Sequence, residues 1–223
     1  QQTCLTQLED QELMMKSKRE GLFREPLPRS HSTFSYNIEQ AFSDYLTAAY
    51  LQISSENPRA NLQCPVYTDT YQQLVAQDAR PANATVADLI SPFELKQADS
   101  RKAVLLIHGL TDSPFTYHDL AQVYYQQGYT VRTILLPGHG TAPAALRDID
   151  ADDWQKASVY AIERALKDFD QVILGGYSTG AALVIDYLTQ GPVDNKITAA
   201  MLFSPASEPH NKNGWLAKWV DAI

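Results

Sequence analysis

From residue 101 onward, four short apolar runs, at 103–107, 130–135, 171–175 and 197–203, alternate with amphipathic stretches at 114–127, 152–168 and 179–189. Short runs of that kind, separated by stretches long enough for a helix, are the mark of repeated βαβ units. Apart from Arg132, the runs show little alternation of polar and apolar residues. Strands apolar on both sides belong inside a parallel sheet that is covered on both faces. The pattern therefore predicts an α/β fold, a mostly parallel sheet with helices on both faces. In such a sheet the loops at the carboxyl ends of the strands form the ligand crevice.

Composition narrows the partners. Eighteen Lys and Arg against 26 Asp and Glu leave a formal charge of −8, which repels phosphate backbones and argues against nucleic acid. The apolar runs are far too short for a transmembrane segment. Cys4 and Cys64 lack the spacing of a zinc site, so no metal is expected. They are compatible with one disulfide in an oxidising compartment or with two unrelated thiols. The chain begins at Gln1, without Met. The expectation is an upstream piece removed, and a periplasmic or secreted location, with the cytoplasm left open.

The first part of the chain reads differently. Residues 1–90 form a helical and irregular extension, 91–208 the α/β core, and 209–223 the start of a cap. Within the extension, Leu5, Leu8, Leu13 and Met14 fit one helical stripe. A second helical pattern over 36–54 carries Phe42, Tyr45, Leu46 and Tyr50, read as core contacts and closed by Asn57-Pro58. Residues 61–99 are loop-like, apart from 71–77 and a strand around 93–95.

Two motifs sit at strand ends. Gly176-Tyr177-Ser178-Thr179-Gly180 joins the run at 171–175 to the helix at 179–189. A serine at so sharp a strand-to-helix turn takes a strained backbone, and glycines two residues either side remove the collisions that side chains would make. The plainer reading is a helix-capping serine between two packing glycines. The second motif, His108-Gly109-Leu110-Thr111-Asp112-Ser113-Pro114, follows the run at 103–107. If the two strands are neighbours, the N–H groups of Leu110 and Thr179 converge on one point as an oxyanion hole. His108 and Gly109 then support the loop. As a general base His108 would precede the nucleophile in the chain, which is the wrong order. Leu136-Pro137-Gly138-His139-Gly140-Thr141 forms another loop on the rim, where His139 packs beside the His-Gly loop.

Taken together with Asp153-Trp154 and Leu202-Phe203-Ser204-Pro205-Ala206, these stretches resemble the α/β-hydrolase superfamily, and within it the bacterial carboxylesterase and monoacylglycerol-lipase-like group. The likeness covers residues 90–208. It implies a serine hydrolase of small acyl esters that needs no cofactor, with Ser178 as nucleophile and Leu110 and Thr179 as oxyanion donors. Family members place the acid and the histidine after later strands. A complementary C-terminal chain or segment is therefore expected. Inside the chain Asp186 sits within a helix and Asp194 at the wrong end of the sheet. Glu208 and His210 lie at the correct end, as a fallback pair or as a polar loop. Trp215, Leu216, Trp219 and Val220 make a helical stripe that suits either a lid or packing on the domain. The rival from another class is a non-catalytic binding protein on the same fold.

Overall fold

The computed structural model describes residues 34–66 and 68–206. The expectations for Cys4, the stripe at 5–14, Glu208, His210 and 215–220 lie outside the described residues. In chain order the elements are α1 (Phe42–Glu56), α2 (Asp69–Ala76), α3 (Val86–Ile90), β1 (Glu94–Leu95), β2 (Lys102–Ile107), α4 (His118–Gln126), β3 (Thr130–Ile134), α5 (Ala151–Asp168), β4 (Gln171–Tyr177), α6 (Thr179–Thr189) and β5 (Ile197–Phe203). They build one five-stranded sheet in the order β1-β3-β2-β4-β5. Only β1 runs antiparallel, pairing Glu94 with Arg132, and the other pairs are parallel.

Strand β2 lies at the centre because every residue from Ala103 to Ile107 is buried. Its side chains alternate between two cores. Ala103, Leu105 and Ile107 join α5, α6 and α1 on one face, while Val104 and Leu106 join Tyr117, Ala121 and Leu74 on the other. The chain passes from β2 to β3 on one side and then crosses to β4 on the other. That reversal of direction opens the crevice above the carboxyl ends of β2 and β4.

Local chemistry sets the element ends. Asp150 and Asp153 form a capping box that starts α5, and Thr85 with Asp88 does the same for α3. The α3 box lies inside the stretch read as loop. The helical pattern at 36–54 starts later than its periodicity suggests, at Phe42. Tyr36 adopts φ 52° and the Gln40 N–H closes a turn on Asn37 O at 2.9 Å, so the chain bends before it coils. The stretch at 114–127 divides into a 3-10 turn, Pro114–Tyr117, followed by α4. Arg132, the polar exception among the strands, is buried and paired on both sides. Its guanidinium donates to Glu94 Oε1 and to Asp168 Oδ2, each at 2.7 Å, and lies over the rings of Phe42 and Phe169. Pairing of this kind offsets the desolvation of a buried cation. Strand β5 differs from the rest, because Leu202 and Phe203 are 40% and 44% exposed at the described sheet edge.

Candidate active site

Strand β4 delivers the chain to a bend at Ser178, whose φ of 53° and ψ of −114° are rare for a residue with a side chain. Such a conformation costs on the order of 1–3 kcal/mol and persists only when its surroundings impose it. Here they do. The Ser178 N–H donates to Phe203 O at 2.9 Å, and Ser178 O accepts from the N–H groups of Ala182 and Ala206, both at 3.1 Å. The flanking glycines permit the close approach of α6 to β2. A Cβ on Gly180 would stand 1.9 Å from Ile107 O, and one on Gly176 would stand 2.4 Å from Gly180 C. Ser178 is half-buried at this bend.

Because β2 and β4 pair in parallel, with Ile107 opposite Gly176, the loop after β2 meets the bend after β4. A Cβ on Gly109 would lie 3.2 Å from Ser178 Cβ. Leu110, Ser178, Thr179, Gly176 and Gly180 thus gather at one end of the sheet. Among the described residues, neither the Leu110 N–H nor the Thr179 N–H has an internal acceptor.

Two histidines lie beneath this loop. His108 is fully buried, its Nδ1 2.8 Å from Gly109 O while its Nε2 accepts the Leu136 N–H at 3.0 Å. A carbonyl on one side and an N–H on the other assign the proton to Nδ1. Burial pulls its pKa down to about 4, so the ring stays neutral. With both nitrogens engaged, His108 has nothing left to offer Ser178. His139 Nε2 lies 2.6 Å from Leu110 O, while its Nδ1 lies 3.2 Å from Leu136 O and 3.1 Å from Pro137 O; the shortest of these contacts assigns the ring proton to Nε2. The two rings meet edge to face with centroids 4.8 Å apart. Trp154 Nε1–H donates to Pro137 O at 3.0 Å, which ties α5 to the same loop.

Other candidates stand apart. Asp186 accepts from the side-chain amides of Gln155 and Gln190, at 3.0 and 2.7 Å. Asp194 accepts from the Lys196 N–H at 2.8 Å, at the opposite end of β5. His118 is occupied by Thr68 Oγ1 at 2.8 Å, and burial lowers its pKa to about 4. None of the described histidines therefore serves Ser178. Among the described residues no group of three or more His, Cys, Asp or Glu is placed to hold a metal ion. No described helix is long and apolar enough to cross a membrane. The sequence marks neither Tyr45 nor Asn57 as a site residue. Tyr45 from α1 and Asn57 from its C-terminal cap reach the 135–140 loop across more than eighty residues of chain, and periodicity carries no signal of such a contact.

The family model described as Hydrolase_4, serine aminopeptidase S33, matches residues 98–223. The chain belongs to this family. Its fold is the α/β-hydrolase fold, and the match takes in every residue gathered around Ser178. A thermostable monoacylglycerol lipase from Bacillus sp. (strain H-257) is 34% identical over 125 residues, 54% of this chain and 49% of that protein. A carboxylesterase from Bacillus subtilis (strain 168) is 37% identical over 65 residues, 29% of this chain and 26% of that protein. A solved structure described under LipS and LipT, two metagenome-derived lipolytic enzymes, is 36% identical with a TM-score of 0.40, covering 44% of this chain and 39% of its own. The chain therefore spans about half the length of the lipase it matches. The described segment 34–97 lies outside the family match.

Proposed function

We propose that this chain carries the nucleophile and oxyanion site of a serine hydrolase that cleaves small carboxylic esters. The observation that carries the reading is the conformation of Ser178, φ 53° and ψ −114°, at a glycine-flanked bend beside the Gly109–Leu110 loop. The names of the lipase and esterase relatives support an ester substrate. In the proposed reaction a general base accepts the Ser178 proton while Oγ bonds to the acyl carbon. The carbonyl π pair moves onto oxygen, where the N–H groups of Leu110 and Thr179 receive it. Collapse of the adduct breaks the bond to the alcohol, which leaves with the proton. Water then repeats the sequence on the acyl-enzyme and releases the acid. The base and its carboxylate are assigned to residues outside 34–66 and 68–206. The chemistry needs no cofactor.

Hydrolysis of p-nitrophenyl esters by the full-length protein, with and without Ser178→Ala, tests this reading. A loss of at least about a thousandfold is expected, as for removal of a nucleophile. Unchanged turnover in the variant would overturn it. The rival reading, a non-catalytic binding protein, draws on the absence of any described histidine at Ser178. It predicts no turnover even in the unaltered protein. We also propose a periplasmic or secreted location. Cys64 is buried and disulfide-bonded, which favours an oxidising compartment.

A further inference from the structure

Helix α1 and its C-cap residue Asn57 lie outside the family match, yet together they are bonded to both ends of the 135–140 loop. Tyr45 Oη donates to Leu135 O at 3.0 Å and accepts the Leu135 N–H at 2.9 Å, in a buried contact. Asn57 Nδ2 donates to Gly140 O at 2.8 Å, one turn of chain beyond Ile53, which packs against Gly140. Asn57 Oδ1 accepts the Arg59 N–H at 2.8 Å, which fixes the direction of its amide. The held loop in turn holds the two histidines. Its Leu136 N–H donates to His108 Nε2, and His139 is part of the loop itself.

From the histidines the connection reaches the oxyanion loop directly. His108 Nδ1–H donates to Gly109 O at 2.8 Å, with a second bond to that oxygen from the Asp112 N–H at 3.2 Å. In a planar trans peptide the Gly109 C=O and the Leu110 N–H point in opposite directions, so fixing one aims the other. His139 Nε2–H fixes the next carbonyl, Leu110 O, at 2.6 Å. Residue 110 is thereby gripped on both of its peptide planes.

We propose that α1 is a positioning brace for the oxyanion donor, with Tyr45 and Asn57 holding the 135–140 loop and His108 and His139 passing that hold to Gly109 and Leu110. The proposal rests on the reading of Leu110 as an oxyanion donor. It gives the N-terminal segment a role in turnover without contact to substrate. Tyr45, Asn57 and His139 are positioning residues, because each acts through another group.

The test compares Tyr45→Phe with Tyr71→Phe in the full-length protein. Both remove one hydroxyl from the N-terminal segment, but Tyr71 Oη donates to Pro81 O at 2.8 Å and has no tie to the 135–140 loop. Tyr45→Phe is expected to lower kcat about tenfold with KM within about twofold, because a misplaced oxyanion donor weakens the transition state more than the ground state. It should weaken a trifluoromethyl ketone, whose adduct places an oxyanion at Leu110, by about the same factor. Tyr71→Phe should leave both unchanged. A second pair guards against simple misfolding. His139→Gln sets an amide nitrogen near the place of Nε2 and should keep most of kcat, whereas His139→Asn mimics Nδ1 and should lose it. Equal kcat in the two tyrosine variants, or in the two His139 variants, would overturn the brace while leaving Ser178 as nucleophile. Full turnover in Ser178→Ala would instead remove the reading beneath it.

Discussion

Ser178 is held from two sides that could hardly differ more. On the β2 side every residue from Ala103 to Ile107 is buried, Gly180 lies against the backbone of Ile107, and two histidines bond to the neighbouring carbonyls. On the β5 side the Ser178 N–H donates to Phe203 O and Ser178 O accepts the Ala206 N–H, beside a strand most of whose residues are exposed along the described edge. On the first side backbone packs against backbone, and on the second Ser178 is held by main-chain hydrogen bonds. The bend at Ser178 is thus held by hydrogen bonds on the β5 side and confined by close packing on the β2 side, and it is against that packing that an added side-chain atom should cost most.

Gly180→Ala should be the most damaging change. The new methyl would collide with Ile107 O at 1.9 Å, a backbone atom that cannot swing aside. We expect loss of about 3 kcal/mol or more in unfolding free energy, read by urea denaturation, together with loss of ester turnover. A stable, active Gly180→Ala protein would break the comparison. Gly109→Ala should be milder, because its methyl would meet Tyr177 Cδ1 at 3.1 Å, Ser178 Cβ at 3.2 Å and Tyr177 O at 3.3 Å, all far longer than the 1.9 Å at Gly180. A kcat reduction of about ten- to a hundredfold with a small stability change is expected from a loop displaced at the reacting centre.

Acid should act on the buried histidines. His108 and His118 have pKa values lowered by burial from 6.5 to about 4. The unfolded chain therefore binds more protons than the folded one between those values, and stability falls as pH drops from 6.5 towards 4. Thermal unfolding across that range should show a falling Tm. His118→Asn, which keeps a polar neighbour for Thr68 Oγ1 and does not titrate, should flatten part of the slope. An identical slope in the variant would show that His118 does not contribute. The smallest effect belongs to the β5 side. Ala200→Lys on its exposed face should shift the stability of the 223-residue chain by no more than about 0.5 kcal/mol. A large loss would show that this face is covered.

Much of this contrast was legible in the residues. Unbroken apolar runs at 103–107 and 171–175 announced strands buried on both faces, and the glycine spacing around Ser178 announced a sharp turn. Both signals are local, since a two-residue or four-residue repeat is written in neighbouring positions. The brace from α1 was not legible. Tyr45 sits in an aromatic stripe whose ordinary reading is core packing, and its ring does pack there, against Phe34, Phe42 and Tyr160. Its hydroxyl alone does the further work, on a backbone group ninety positions away. Likewise, the sequence set His139 beside the His-Gly loop, but nothing in it said that its Nε2 would find Leu110 O. Arg132 looked like a flaw in a strand until Glu94 and Asp168 arrived from either side.

The account rests most directly on the reactivity of one hydroxyl. Treating the full-length protein with a fluorophosphonate and mapping the adduct by peptide mass spectrometry should place the phosphonyl group on Ser178, with no adduct in Ser178→Ala. An active protein whose adduct falls on another residue, or that turns over esters while Ser178 stays unmodified, would contradict it.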